Sequence, residues 1–273
     1  MSDRNGVGGD DPKVAGRRAR APYSVQRQQL ILRTLRRDGR VDATDVADEL
    51  AVTTETIRKD LIRMEKRGLL SRVHGGAVSI GDLIYEPDVT TRTEFADEKR
   101  RIATAALAHL PAAGSVLIDA GSTTAQFAEL FPDDRELTVF TNALPIAMAL
   151  IARPHLTVYP IGGRLRRQTV ATVGSWTSRL LEEINVDVAF LGTNSISIDR
   201  GLTTPDPAEA QIKTLMVKAA QRRILLADHS KYGRLSLVKY AELSDIDLFI
   251  TDTGLPAAEV AKLKRAGLIV EQT

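Results

Sequence analysis

The chain has 273 residues, of which 43% are hydrophobic and 26% charged, with a formal net charge of +2. That length is a prior for two domains and that apolar content suffices for packed cores, so a wholly disordered chain is excluded. There is no cysteine, which excludes disulfides, thiolate catalysis and zinc-cysteine sites.

The small total charge hides an asymmetry. Residues 1–78 carry 16 Lys and Arg against 11 Asp and Glu, so the front is +5 and the remainder −3. Such a split suits a nucleic-acid-binding head on a body that does something else. His74, His109, His155 and His229 are scattered and show no metal-ligand spacing, and neither a metal nor a cofactor is expected. The N-terminus lacks an apolar signal core. The uncharged run Leu137 to Ala152 is broken by Thr141, Asn142 and Pro145 and is too short to span a bilayer. A cytoplasmic protein with no membrane partner is the expectation.

In chain order, residues 1–22 are rich in Gly, Asp and Arg without apolar period and read as a disordered basic tail. From Ser24 to Arg37 the set Val25, Leu30, Ile31 and Leu35 predicts a first helix that Gly39 ends. Asp42 is placed to cap a second short helix, Ala43 to Ala51, with Val46, Ala47 and Leu50 facing inward. A third helix follows almost at once. Thr53 can accept from the backbone N–H of Thr56, Gly68 supplies a stop, and Ile57, Leu61 and Met64 share one face while Arg58, Lys59, Arg63, Lys66 and Arg67 cover the rest. This is helix-turn-helix spacing, with the motif at about 41–60. Leu69 to Val73, His74-Gly75-Gly76 and Ala77 to Ser79 then read as a strand, a turn and a returning strand, which makes a wing.

A helix whose first turn carries threonines followed by cations can enter a major groove N-terminus first, while Lys and Arg neutralise flanking phosphates. Periodicity and charge fit an ordinary basic surface helix equally well. The order of residues separates the two. Val52-Thr53, Thr56-Ile57-Arg58-Lys59-Asp60-Leu61, Gly68-Leu69-Leu70 and Arg72-Val73-His74-Gly75-Gly76-Ala77 closely resemble the DNA-binding domain of DeoR-family transcriptional regulators. The resemblance implies a double-stranded DNA operator as partner, met by Thr53, Thr54, Thr56, Arg58, Lys59, Arg63, Lys66, Arg72 and His74 of a winged domain spanning 24–79.

Residues 80–97, with Gly81, Pro87 and several Thr, read as a linker, and a helix is predicted from Glu98 to Leu110. Short apolar runs then alternate with helical stretches. The runs are Val116 to Ile118, Leu137 to Phe140, Leu156 to Ile161, Val186 to Leu191, Arg223 to Ala227 and Ile246 to Ile250. The stretches lie at about Thr124 to Leu130, Leu144 to Ile151, Ser175 to Glu183, Ala208 to Ala220 and Ala257 to Ala266. Strands buried on both faces and wrapped by helices predict an α/β body, 98–273, with a mainly parallel sheet.

Ligands of such sheets collect at the carboxyl ends of the strands. After the first run comes Asp119-Ala120-Gly121-Ser122-Thr123-Thr124, a glycine and three hydroxyls at a helix N-terminus, where backbone N–H groups and the helix dipole favour an anion such as phosphate. Alone it is equally compatible with an ordinary capped turn. Thr141-Asn142, Gly162-Gly163-Arg164, Gly192-Thr193-Asn194 and Asp228-His229-Ser230-Lys231 follow the other runs, and together they point to a phosphorylated, hydroxyl-rich small molecule.

Glu98-Lys99, the 119–124 loop, Thr141-Asn142-Ala143, Gly162-Gly163, Asp187, Phe190-Leu191-Gly192, Gly201-Leu202, Glu209 with Lys213, and Asp228 to Lys231 look like the sensor domain of DeoR-type regulators. The resemblance implies a ribose-5-phosphate isomerase-like body that senses a phosphorylated sugar. Gly121, Ser122, Thr123 and Thr124 would hold the phosphate, Lys231 would add charge, and Asp119, Asn142 and Glu209 would meet hydroxyls. Gly162, Gly163, Arg164 and Lys213 complete the expected effector site. The expected protein is a repressor of a carbohydrate-use operon, a homodimer or higher homo-oligomer, released from DNA by a phosphorylated sugar. The alternative is an isomerase-like enzyme in which Glu209, Asp119 and Lys231 serve as acid, base and stabiliser. A winged head has no use in such an enzyme, and no catalytic residue is assigned. Consecutive Asp228, His229 and Ser230 cannot form a triad.

Overall fold

The computed structural model describes residues 24–67, 69–73, 75–78, 83, 84 and 86–273. The tail over 1–22, the helix stop Gly68 and the wing residue His74 lie outside the described residues. Among those described, no helix is long and apolar enough to cross a membrane.

The head contains α1 (Ser24–Asp38), β1 (Arg40–Asp42), α2 (Ala43–Glu49), α3 (Thr54–Lys66), β2 (Ser71–Val73) and β3 (Gly76–Val78). Ile31, Leu35, Val46, Ala47, Ile57, Leu61 and Met64 form its core. Val25, expected on the inner face of the first helix, is 65% exposed. The first turn of α1 faces a charged group instead: Ser24 Oγ and Arg27 Nε donate to the Asp60 carboxylate of α3, at 3.3 and 2.6 Å. Strand β1 was not expected. It pairs antiparallel with β3 so closely that a Cβ on Gly76 would lie 1.9 Å from the Val41 carbonyl oxygen, which is why glycine opens the returning wing strand.

The body adds helices α4 (Ala96–Ala106), α5 (Ser122–Glu129), α6 (Leu144–Leu150), α7 (Ser175–Glu183), α8 (Pro207–Ala219) and α9 (Ala257–Arg265). Its main strands are β4 (Gly114–Ile118), β5 (Leu137–Thr141), β6 (Leu156–Pro160), β9 (Val186–Leu191), β12 (Ala220–Leu226), β14 (Leu248–Thr251) and β15 (Val270–Gln272). All are parallel, in the order β15-β14-β12-β9-β4-β5-β6. Alternate residues serve opposite cores. Leu117, Ala189, Leu225 and Phe249 pack with residues of α7, α8 and α9, whereas Val116, Val188, Phe190 and Ile224 pack with residues of α4, α5 and α6. The six apolar runs are thus strands of one sheet.

Strand β15 and two smaller pieces were not expected. One is the hairpin of β7 (Arg164–Arg166) and β8 (Ala171–Val173); the other joins β10 (Ser195–Ser197), β11 (Gly201–Thr204) and β13 (Val238–Ala241). The chain leaves β4 outward through β5 to β6, then returns to lay β9 on the other flank of β4. The strand order reverses there, and a crevice opens between the β4 and β9 carboxyl ends.

Candidate functional site

In the head, local sequence positions a basic face. Thr53 Oγ1 accepts from Thr56 N at 3.2 Å and caps α3, and the two hydroxyls lie 2.9 Å apart. Ile57, Asp60, Leu61 and Met64 are buried, which leaves Arg58, Lys59, Arg63 and Lys66 exposed on the other side. Thr54 and Thr56 are half-buried at the start of the helix. Arg72 is exposed on the wing, where its backbone N–H donates to Glu65 at 2.9 Å and ties β2 to α3. A cationic helix face beside a wing is the arrangement that lies along a DNA groove.

In the body, the crevice between β4 and β9 holds a narrow cavity of about 40 Å³ that opens to solvent. Asp119 follows β4. Its Oδ2 accepts from the Gly192 N–H at 3.0 Å, across the point where strand order reverses, and from the Lys213 ammonium. Lys213 also donates to the Gly192 carbonyl at 3.0 Å. Burial works against its charge, but Asp119 and the nearby Tyr240 and Glu209 overcome it and hold Lys213 protonated. Asp119 and Lys213 are therefore a mutually satisfied pair in one wall.

The 121–124 loop forms another wall. No side chain caps α5; Thr124 Oγ1 donates back to the Gly121 carbonyl at 3.1 Å, and Thr123 and Thr124 are buried at the cavity. Free N–H groups at a helix start attract an anion. Asn142, after β5, donates to the Thr172 carbonyl at 3.1 Å, while its Oδ1 is buried without a partner among the described residues. Glu209, on the inward face of α8, accepts from Thr169 and from Arg166 at 3.2 Å. Burial, with the neighbouring Glu86 charge, raises its pKa. Lys231 is half-buried, its pKa lowered by burial, and no hydrogen bond or ion pair among the described residues engages its ammonium.

The structure thus brings Asp119, Gly121, Ser122, Thr123, Thr124, Asn142, Glu209, Lys213 and Lys231 to one cavity. Gly162, Gly163 and Arg164 are not part of its lining. They follow β6, the outermost strand, two removed from the crevice, and Gly163 is glycine for packing: a Cβ there would meet Thr177 Oγ1 at 2.0 Å. Sequence reasoning missed Thr169, Arg92 and Glu86, which also line the cavity, and gave Thr193 and Asn194 no individual role. Thr193 and Asn194 stood inside a motif already singled out. Glu86 and Arg92 lay in the expected linker, with no local signal to find them.

A winged helix-turn-helix head joined to an α/β body with a polar ligand cavity defines a DNA-binding transcriptional regulator. The chain belongs to the DeoR family: residues 27–82 match the DeoR-like helix-turn-helix domain and residues 94–253 the DeoR C terminal sensor domain. It is 40% identical over 234 residues to the HTH-type transcriptional regulator GlpR of Haloferax volcanii, covering 85% of this chain and 91% of that one. It is 31% identical over 230 residues to the transcriptional repressor AccR of Agrobacterium fabrum, covering 84% and 89%. Among solved structures, ribose 5-phosphate isomerase A from Methanocaldococcus jannaschii aligns at 17% identity over 50% of this chain and 54% of that one, with a TM-score of 0.38.

Proposed function

We propose that the chain represses a carbohydrate-use operon and leaves its operator when a phosphorylated, hydroxyl-bearing metabolite fills the cavity beside the 121–124 loop. One observation carries this reading: the uncapped start of α5 and the half-buried Lys231, whose ammonium no hydrogen bond or salt bridge engages among the described residues, face the same cavity. An anion would satisfy both. Asn142, whose Oδ1 is unpaired among the described residues, offers an acceptor to a hydroxyl, and Glu209 can take one by exchanging its Thr169 or Arg166 partner. The head acts on double-stranded DNA in the cytoplasm as part of a homodimer or higher homo-oligomer, because one winged domain offers too little interface for a specific operator.

The body binds and does not turn over its ligand. As an isomerase base Asp119 would need a free carboxylate, yet it is engaged by Lys213 and the Gly192 N–H. The test is a thermal-shift screen of sugar phosphates with an isomerase assay on every hit. A true effector at about 100 times its dissociation constant adds roughly 2.7 kcal/mol to stability. A panel without any shift refutes the sensor, and an isomerase rate lost in Glu209→Gln makes the body an enzyme.

A further inference from the structure

Glu86 and Arg92, in the segment joining head and body, reach the cavity. The Glu86 side chain is buried, its carboxylate meeting Arg92 at 2.7 Å, Arg166 at 2.6 Å and Asn194 at 2.8 Å. Burial opposes its charge, and Arg92, Asn194 and Arg166 together outweigh that and lower its pKa. On either side the strap is held by single backbone bonds: Leu237 N–H to the Leu83 carbonyl at 3.0 Å, and Val89 N–H to the Gln168 carbonyl at 2.7 Å. Lys99 Nζ then grips the carbonyls of Arg92 and Glu94 at 3.0 and 2.5 Å, where the strap meets α4.

Glu86 and Arg92 both line the cavity, facing the 121–124 loop and Lys231. A volume of about 40 Å³ holds about three waters, at 10–15 Å³ for each. A sugar phosphate seated there extends through the open mouth of the pocket or displaces part of its lining. Most of the lining stands on or directly after β4, β5, β9, β12, α5 and α8, which are packed into the two body cores, whereas Glu86 and Arg92 on the strap, Thr169 in the β7–β8 turn and Lys231 after β12 stand outside those cores. The described residues of the strap are packed into neither. An entering phosphate would also bring a second anion beside Glu86 in a cavity with little water, where like charges repel strongly.

We propose that Glu86 is an internal anion occupying the effector cavity, and that a phosphate-bearing effector displaces it and frees the 83–92 strap leading to the DNA-binding head. The proposal rests on reading the cavity as an anion site and specifies how occupancy there reaches the DNA. Arg92 leaves the cavity with Glu86, and Asn194 exchanges one anionic partner for another.

The experiment uses the full-length protein, inorganic phosphate as the probe, and two readouts: calorimetric affinity, and the rate of trypsin cleavage at Arg92. Glu86→Gln removes the competing charge at almost constant shape, so phosphate should bind at least tenfold tighter than to wild type, and Arg92 should be cut at least tenfold faster without phosphate. In wild type, saturating phosphate should raise cleavage toward the rate of the variant. Asn194→Asp, which sets a like charge against an intact Glu86, should release the strap in the same way and guards against a fault peculiar to the amide substitution. Equal phosphate affinity in wild type and Glu86→Gln, or cleavage at Arg92 unchanged in both variants, overturns the proposal. The site reading fails separately: if Thr123→Asp added to Glu86→Gln leaves phosphate affinity intact, the anion is not on the 121–124 loop, whatever the strap does.

Discussion

Arg58 and Lys66 stand on the same helix yet should differ in what they contribute. Both are exposed, Arg58 near the α3 start and Lys66 at its end. An N-terminal residue of a recognition helix reaches base edges, whereas one at the far end reaches only the backbone. Arg58→Ala should therefore weaken operator binding by roughly 1–3 kcal/mol and relax sequence discrimination. Lys66→Ala should weaken all sequences alike and flatten the salt dependence by about one unit. Titrations of operator and random DNA at several salt concentrations separate the two, and unchanged binding in both variants would remove α3 from the interface. In the body, Asp119 and Lys213 form a similar contrast with Lys231. The first two satisfy each other, and the third feels the charge of Asp228 without a hydrogen bond or salt bridge among the described residues.

The pairing of α1 with α3 decides whether the head presents its basic face at all. Asp60 is 1% exposed and held by Arg27, itself 13% exposed, so the two helices are joined by a nearly buried ion pair. Removing one partner of such a pair costs about 3–5 kcal/mol when the other is left without water. Arg27 keeps some access to solvent, so Asp60→Ala should cost roughly 3 kcal/mol. Calorimetry should show a head transition moved down in temperature and a body transition left in place, because the two have separate cores. If both transitions move together, head and body are one cooperative unit. The strap is a different kind of element. Its described residues have no hydrophobic anchor in either body core and are held by polar contacts, which an ionic ligand can exchange.

Head and body are linked thermodynamically if the effector changes DNA affinity, and that link can be cut at one end only. Thr123 is buried at the cavity, at the start of α5. Thr123→Asp puts a carboxylate where the phosphate charge should sit, and like charges a few ångströms apart in a partly desolvated site cost on the order of several kcal/mol. Effector binding should be lost while folding and operator affinity survive, and by linkage the effector no longer shifts the DNA equilibrium. The protein becomes an uninducible repressor. Gel-shift titrations with the inducing sugar phosphate check this: release of DNA by the variant at the wild-type effector concentration would place the phosphate elsewhere.

Features set by near neighbours along the chain were legible before folding. The cap at Thr53, the apolar stripe Ile57, Leu61 and Met64, and the runs that become β4, β5, β9 and β12 belong here, because helix caps and helical and strand periodicities are set within a few residues. The loop at Gly121 to Thr124 was legible for the same reason, as glycine and hydroxyls opening a helix. Strand order was not. The rule that ligands gather at strand ends pointed equally to Gly162-Gly163-Arg164 and to Asn142, but it takes the assembled sheet to put β5 beside β4 and leave β6 at the edge. Strands β1 and β15 were missed because three-residue edge strands are defined by their partners, Ala77 opposite Val41 and Val270 opposite Phe249, and carry little pattern of their own. Glu86 shows the limit most clearly. In a polar stretch beside Pro87 it has the composition of a solvated linker, and its burial is decided by Arg92, Arg166 and Asn194, the last 108 residues away. A charge can be buried only where opposite charges and donors already converge, and only the folded chain brings these together.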